Sequence, residues 1–236
     1  PPPPTPSPHP LPPLPSNTTN PLPHSPTTTH ATATTRITIT TLTQTLYATI
    51  PPSHLSLLRL PLGFHGPDLI TTHPLSHLGQ DGGAGTGSGP GNAVGAAVAL
   101  KHAHPHLIPV AVLGDGDFLM GCSALWTAVH HKIPLLVVVA NNEGYYNDER
   151  HQRDVARERG RDVGNAGVGT RIREPVVDLM GVAVAFGATR VVQGRVEQLG
   201  ELRGALERAV GVVREGGVVV VDVLVWNEDM EEGGGM

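Results

Sequence analysis

Residues 107–117 read Leu-Ile-Pro-Val-Ala-Val-Leu-Gly-Asp-Gly-Asp, an apolar run that ends in a turn of glycine and aspartate. A second apolar run covers residues 134–140 and ends at Asn141-Asn142, and a third covers residues 217–225. Apolar side chains at consecutive positions indicate strands that are buried on both faces. The three runs therefore predict strands of a parallel sheet.

Helical patterns separate these runs. The spacing of apolar side chains predicts helices over residues 91–101, 119–131, 178–187 and 196–215. Alternating strands and helices predict an α/β domain, a parallel sheet with helices on both faces. In such sheets ligands bind beyond the carboxyl ends of the strands, so the turns at 114–117 and 141–145 are the expected site.

The composition changes sharply along the chain. Residues 1–26 hold 13 of the 23 prolines, residues 1–50 hold 15 threonines, and no Asp or Glu precedes Asp68. Such a stretch buries too little apolar surface to offset the entropy of ordering. We therefore expect a disordered Pro/Thr-rich arm at 1–50, a transitional segment at 51–80, the globular domain at 81–226 and a flexible tail at 227–236.

Charge and cysteine content exclude several classes of protein. The net charge is −5 and the pI is near 6.2, which argues against a nucleic-acid binder. No apolar run approaches the roughly 20 residues of a membrane span. The single cysteine, Cys122, allows no intrachain disulfide and fits a reducing compartment. The arm is acid-free and hydroxyl-rich like a transit peptide, but it is Arg-poor and too Pro-rich for an amphipathic helix, which favours a solvated tail or a mis-joined gene start. The compartment stays open between cytoplasm and mitochondrion.

The two polar turns carry the chemistry. A right-handed crossover between the first two strands brings both carboxyl ends to one edge of the sheet, so Asp115 and Asn142 should lie side by side. A carboxylate and an amide oxygen are ligands that Mg²⁺ prefers. Gly114 and Gly116 allow a sharp turn and a close approach to a ligand. A helix that begins near Phe118 would present free N–H groups to an anion such as a diphosphate.

A resemblance to a known family rests on these residues. Gly114-Asp115-Gly116 followed by Asn141-Asn142 resembles the motif of thiamine-diphosphate-dependent enzymes, most closely the acetolactate synthase and benzoylformate decarboxylase group. Residues 82–95 resemble the glycine-rich strand-to-helix segment of the same domain, and residues 124–142 are also similar to family sequence. A lone Gly-Asp-Gly is a common turn, but the paired motif is specific. The similarity covers about residues 58–226.

The resemblance implies two cofactors, thiamine diphosphate and Mg²⁺. It implies that the side chains of Asp115 and Asn142 and the main-chain carbonyl of Gly144 bind the metal. Asp117 stands where serine is common and would contact the diphosphate through its main-chain N–H. Thr86 aligns with the bulky apolar residue that supports the bent cofactor. The implied cofactor-binding set is Gly85, Thr86, Gly87, Gly114, Gly116, Asp117 and Tyr145.

The resemblance also implies a missing half. In the family a separate pyrimidine-binding domain, usually from a neighbouring subunit, presents a glutamate to the aminopyrimidine ring. The first 50 residues contain no glutamate. We therefore expect a truncated, inactive lyase or transferase without a catalytic residue of its own, namely the C-terminal domain of a 2-keto acid decarboxylase or carboligase. Its partners would be a 2-keto acid and a chain or domain supplying the pyrimidine half, in a homo-oligomer when full-length. The alternative is a non-catalytic remnant or binding protein that keeps the fold.

Other features have weaker interpretations. Residues 145–154 could form a lid or a surface helix. His102, His104 and His106 could ligate a transition metal, but Pro105 interrupts them and no carboxylate or cysteine is near, so a solvated loop is the favoured interpretation. Cys122 lies on an apolar helix face, which favours a core position over a nucleophile. The alternating glycines of 83–91 lack the spacing of a dinucleotide loop, and no Gly-Lys-Ser/Thr follows to make a P-loop.

Overall fold

Four parallel strands form one sheet in the order β1-β2-β3-β4 in the computed structural model, which describes residues 36–64, 66–80 and 85–226. The strands are β1 Leu55–Arg59, β2 Ile108–Gly114, β3 Leu135–Asn141 and β4 Val218–Leu224. All three strands predicted from the apolar runs are present. The predictions for residues 1–35 and for the tail at 227–236 lie outside the described residues.

The helices cover both faces of the sheet. They are α1 Ile39–Thr49, α2 Gly89–Ala103, α3 Asp115–Gly121, α4 Ala124–His130, α5 Tyr146–Glu158, α6 Leu179–Ala185 and α7 Leu199–Arg214. Helices α1 and α7 contribute to the apolar core on one face, and α2, α3, α4 and α6 to the core on the other. The α/β prediction is confirmed. Within the described residues, no helix is both long and apolar enough to cross a bilayer.

The strand register brings the two polar turns together. Gly114 at the end of β2 pairs with Ala140 of β3, and Asn141 pairs with Leu224 of β4. The residues after Gly114 and Asn141 therefore leave the sheet at the same edge, as parallel strands require. This edge carries the candidate site.

The predicted helix at 119–131 is divided in two. Helix α3 begins at Asp115 instead of near Phe118, and α4 begins at Ala124. The early start is satisfied locally, because the Asp115 carboxylate accepts the N–H of Gly116 at 3.0 Å. The division follows Gly121, which packs so closely against the Gly87 carbonyl that a side chain would not fit there.

The expectation of disorder through residue 50 is wrong for residues 36–50. Helix α1 opens with a capping box between Thr38 and Thr41, and Leu42, Leu46 and Ile50 are buried in the core shared with α7. Their spacing of four residues was the missed signal, because threonine-rich composition obscured it. Strand β1, within the transitional segment, is buried at all five positions.

Candidate functional site

Asp115 lies at the centre of the polar edge. Its side chain is almost completely buried, and both carboxylate oxygens accept main-chain N–H groups. Oδ1 accepts from Gly116 at 3.0 Å, and Oδ2 accepts from Gly144 of the second turn at 2.7 Å. The two turns predicted to form the site are therefore in direct contact.

Burial raises the pKa of Asp115 to about 6, even though the N–H groups of Gly116 and Gly144 favour the charged form. The nearby Glu143 carboxylate adds to the increase. A buried carboxylate that is costly to ionise gains free energy from a bound cation. The site is therefore electrostatically suited to a cation.

The two adjacent asparagines of the second turn have different surroundings. Asn141 is buried, donates from Nδ2 to Asp222 Oδ1 at 3.0 Å, and accepts the N–H of Glu143 on Oδ1 at 2.9 Å. Asn142 Oδ1 is also buried, yet it has no hydrogen-bond partner among the described residues. Buried acceptors are normally satisfied, so this oxygen is the one that a ligand would complete.

The oxygens at this edge fit Mg²⁺. They are the carboxylate of Asp115, the amide oxygen of Asn142 and the main-chain carbonyl of Gly144, all hard donors. In the part of the chain that the structure describes, no group of three or more His, Cys, Asp or Glu could hold a metal. A metal site at this edge would therefore depend on amide and main-chain oxygens beside the Asp115 carboxylate.

Asp117 connects the first turn to the glycine-rich segment. Its Oδ1 accepts the N–H of Gly87 at 2.6 Å and that of Gly89 at 3.1 Å. The carboxylate is thus engaged with the protein, which leaves the main-chain N–H as the group that could contact an anion. Gly85 and Gly87 have φ angles of 100° and 94°, which only glycine adopts readily. Thr86, between them, is exposed.

The ring of Tyr145 covers the first turn. A side chain on Gly116 would collide with this ring, so the glycine permits the contact. Tyr145 donates its N–H to the Thr170 carbonyl at 2.7 Å, and the following residues form α5. The region offered as a lid or a surface helix is therefore helical after Tyr145.

Several residues that support the second turn were missed by sequence reasoning. Asp222 on β4 accepts from Asn141, and Arg195 donates to Glu143 Oε1 at 2.7 Å. The pKa of Asp222 is raised to about 6, chiefly by burial, while the hydrogen bond from Asn141 lowers it. A single aspartate inside the valine run 218–225 was the available signal.

Two weaker sequence features lie away from this edge. Cys122 is half-buried beside the core of α3 and α4, and its Sγ lies 3.4 Å from the Leu119 carbonyl. That position agrees with a core role. His104 and His106 meet edge-to-face with ring centroids 6.0 Å apart, at the far end of α2.

Comparison with protein families gives one match over more than half of the chain. The family described as "Thiamine pyrophosphate enzyme, C-terminal TPP binding domain" matches residues 69–223. This range contains the glycine-rich segment and the turns after β2 and β3, whereas α1 and β1 precede it.

Individual relatives agree with this match. A protein of Bacillus subtilis strain 168, provisionally named thiamine pyrophosphate-containing protein YdaP, is 32% identical over 130 residues, which are 55% of this chain and 20% of that protein. Sulfoacetaldehyde acetyltransferase of Castellaniella defragrans is 32% identical over 110 residues, 47% of this chain and 16% of the enzyme. The chain therefore matches a fifth or less of the length of these relatives.

A solved structure shares the fold. The thiamine diphosphate-dependent 4-hydroxybenzoylformate decarboxylase of Rhodococcus jostii RHA1 superposes with a TM-score of 0.63 and 20% identity. The superposition covers 80% of this chain and 33% of the decarboxylase. The similarity is thus to one third of a larger enzyme.

Proposed function

Because the chain belongs to the thiamine pyrophosphate enzymes, as their C-terminal TPP-binding domain, we propose that it binds thiamine diphosphate through Mg²⁺ at the edge formed by the turns after β2 and β3. The observation that supports a metal is the Oδ1 of Asn142, which is buried and has no hydrogen-bond partner within residues 36–64, 66–80 and 85–226. It lies in the turn whose Gly144 N–H already contacts Asp115. Asp115, Asn142 and the Gly144 carbonyl are the proposed ligands.

Each part of the edge has a distinct task in this proposal. Asp115 supplies the negative charge that a bound cation neutralises, since its burial makes an uncompensated charge costly. Gly116 and Asp117 offer main-chain N–H groups to the diphosphate, while the Asp117 carboxylate fixes the glycine-rich segment beside them. Tyr145 shields the turn from water. Bound thiamine diphosphate supplies the stabilisation of a carbanion, and the protein positions it.

We propose further that the substrate is a 2-keto acid, decarboxylated or joined to a second molecule by an enzyme similar to acetolactate synthase. The acetyltransferase and decarboxylase names of the relatives support this reaction class. The chain matches only part of each relative, so a pyrimidine-binding half, with its glutamate, would come from another chain or domain. The 236-residue chain alone would then bind cofactor without turnover.

Titration calorimetry with the 236-residue chain tests the binding. We expect thiamine diphosphate to bind at least about tenfold more tightly with Mg²⁺ than with EDTA. Asp115→Asn should weaken Mg²⁺-dependent binding by about 100-fold or more, since a unit-charge pair at about 4 Å is worth on the order of 4 kcal/mol. Asp154→Asn, an exposed aspartate of α5 paired only locally, is the matched control. An affinity for thiamine diphosphate that changes neither on removal of Mg²⁺ nor in Asp115→Asn would contradict the proposal.

A turnover assay tests the half-site. With saturating thiamine diphosphate, Mg²⁺ and pyruvate, the chain alone should release no CO₂ above the rate of free cofactor. Release that depends on Asp115 would show that the chain needs no second half.

A further inference from the structure

We propose that Asp222 is a positioning residue for the turn Asn141–Gly144, and that it sets the orientation of the oxygens that hold the metal. The role in metal binding rests on the proposed function, whereas the role in holding the turn concerns the ligand-free chain. The carboxylate of Asp222 accepts a hydrogen bond from Asn141, which is not one of the proposed ligands. It acts through Asn141.

The position of Asp222 is unusual for an aspartate. It lies on β4, the last strand of the sheet, where it pairs with Val139 of β3, and its relative exposure is only 3%. A buried carboxylate is costly unless it is hydrogen-bonded, and strand positions in this run otherwise carry valine or leucine. The hydrogen bond that it accepts from Asn141 Nδ2 at 3.0 Å therefore offsets part of the cost of burying this carboxylate.

This contact determines which way the Asn141 amide points. An ionised carboxylate only accepts hydrogen bonds, so Asp222 requires Nδ2 on its side and leaves Oδ1 on the other. Oδ1 then accepts the N–H of Glu143 at 2.9 Å. With the amide reversed, Oδ1 would face a carboxylate and the amide nitrogen would face an N–H. Asp222 thus specifies one orientation.

The fixed amide shapes the turn that carries the ligands. Glu143 has a left-handed backbone, φ 61°, which is unfavourable for a residue with a side chain. Its N–H is held by Asn141, its carbonyl accepts from Ile172 at 2.8 Å, and the next N–H reaches Asp115 Oδ2 at 2.7 Å. Glu143 separates Asn142 from Gly144, so its conformation sets how these two face Asp115.

The same strand holds the turn from a second side. Val196 donates its N–H to the Asp222 carbonyl at 2.8 Å, which places Arg195 beside the turn. Arg195 Nη1 lies 2.7 Å from Glu143 Oε1. Strand β4 therefore supports the main chain of Glu143 through Asn141 and its side chain through the segment that carries Arg195.

Amide hydrogen exchange of the ligand-free chain tests the structural part. We expect Asp222→Val, which places a strand-favouring side chain of similar size there but removes the acceptor, to speed exchange at Glu143 and Gly144 at least about tenfold. Exchange in the centre of β3 should be unchanged. Asp222→Asn can still accept from Asn141 and should stay within about threefold of wild type at both sites. Val220→Ala, which removes buried volume two residues away on the same face, is the control.

Mn²⁺ binding in the presence of thiamine diphosphate, followed by electron paramagnetic resonance, tests the functional part. Asp222→Val should weaken Mn²⁺ by about 10-fold or more, with Asp222→Asn near wild type and Val220→Ala changing stability alone. If Asp222→Val does not fold, exchanging the residue types at positions 141 and 222 provides a second test. Asn141→Asp, which opposes two carboxylates, should lose affinity, and the double variant Asn141→Asp/Asp222→Asn should recover it.

The outcomes separate the two proposals. Wild-type exchange at Glu143 and Gly144 in Asp222→Val, or no recovery in the double variant, would overturn the role of Asp222. If the wild-type chain binds no Mn²⁺, the proposed function fails, and the exchange rates alone decide whether Asp222 positions the turn.

Discussion

The two turns at the carboxyl edge are held in different ways. The turn after β2 is held through its own two carboxylates, because Asp115 accepts the N–H groups of Gly116 and Gly144 and Asp117 accepts those of Gly87 and Gly89. The turn after β3 is held by distant residues. Asn141 depends on Asp222, 81 positions away, and Glu143 depends on Arg195, 52 positions away.

This difference has a consequence for stability. The first turn depends on carboxylates that it carries itself. The second turn depends on side chains from β4 and from the segment before α7, which come late in the chain. Substitutions of Asp222 or Arg195 should therefore affect the second turn first, and should reach the first turn through the contact between the Gly144 N–H and Asp115.

The largest expected effect is the pH dependence that Asp222 imposes. Its pKa is raised from 3.8 to about 6 in the folded chain by burial and by Asp115 and Asp178, against the favourable Asn141 and Arg195. The folded state thus keeps a proton that the unfolded state loses, so stability falls as pH rises from about 4 to about 6 and is level above. In Asp222→Asn the decrease in the free energy of unfolding between pH 4 and pH 6 should be smaller by up to about 3 kcal/mol. Urea unfolding at pH 4, 5, 6 and 7 measures it, and parallel curves for both proteins would contradict it.

Alanine variants of the adjacent Asn141 and Asn142 should differ by about 2 kcal/mol in the free energy of unfolding. Asn141→Ala leaves the buried Asp222 carboxylate without its donor, a cost of about 2 kcal/mol. Asn142→Ala removes a buried oxygen that has no partner within the described residues, so it should cost close to nothing. Denaturant unfolding without ligand compares them. Equal costs would show that the second turn is not held through Asn141.

One glycine in each turn gives a matched comparison. A methyl group on Gly144 would lie 2.7 Å from the Thr170 carbonyl, whereas a methyl group on Gly114 would have no atom within 4 Å. Gly144→Ala should therefore cost about 2 kcal/mol by forcing two main-chain segments apart, and Gly114→Ala should be nearly neutral. Thermal unfolding of the two variants is the measurement. A destabilised Gly114→Ala would show that the first turn is less open than its geometry indicates.

The contrast between the turns also explains what the sequence could predict. The parallel sheet, the positions of Asp115 and Asn142 and the family resemblance depend on local patterns, namely apolar runs and the polar turns after them. Asp222 could not be assigned a role, because its partner depends on which strand β3 pairs with. Arg195 lies in a segment without regular structure, where no periodicity points to Glu143.

Composition misled the prediction elsewhere. The threonines of residues 38–49 suggested disorder, but the hydroxyls of Thr43, Thr45 and Thr49 donate to main-chain carbonyls four residues earlier. This lets a threonine-rich stretch form a helix when Leu42 and Leu46 find a buried surface. The surface is α7, more than 150 positions later in the chain. Tertiary packing, invisible in the local sequence, decided the structure of α1.

The smallest expected effect separates backbone strain from side-chain support. Lys132, between α4 and β3, and Glu143 share a left-handed backbone, with φ of 51° and 61°. Lys132→Gly should stabilise the chain by about 0.5–1 kcal/mol, because glycine adopts this conformation without the clash of a side chain. Glu143→Gly gains the same relief but loses the ion pair with Arg195 at 2.7 Å, so it should be less stable than Lys132→Gly by about 1 kcal/mol. Chemical denaturation gives both values. If Glu143→Gly is stabilised as much as Lys132→Gly, Arg195 does not hold the second turn, and only the link through Asp222 and Asn141 distinguishes it from the first.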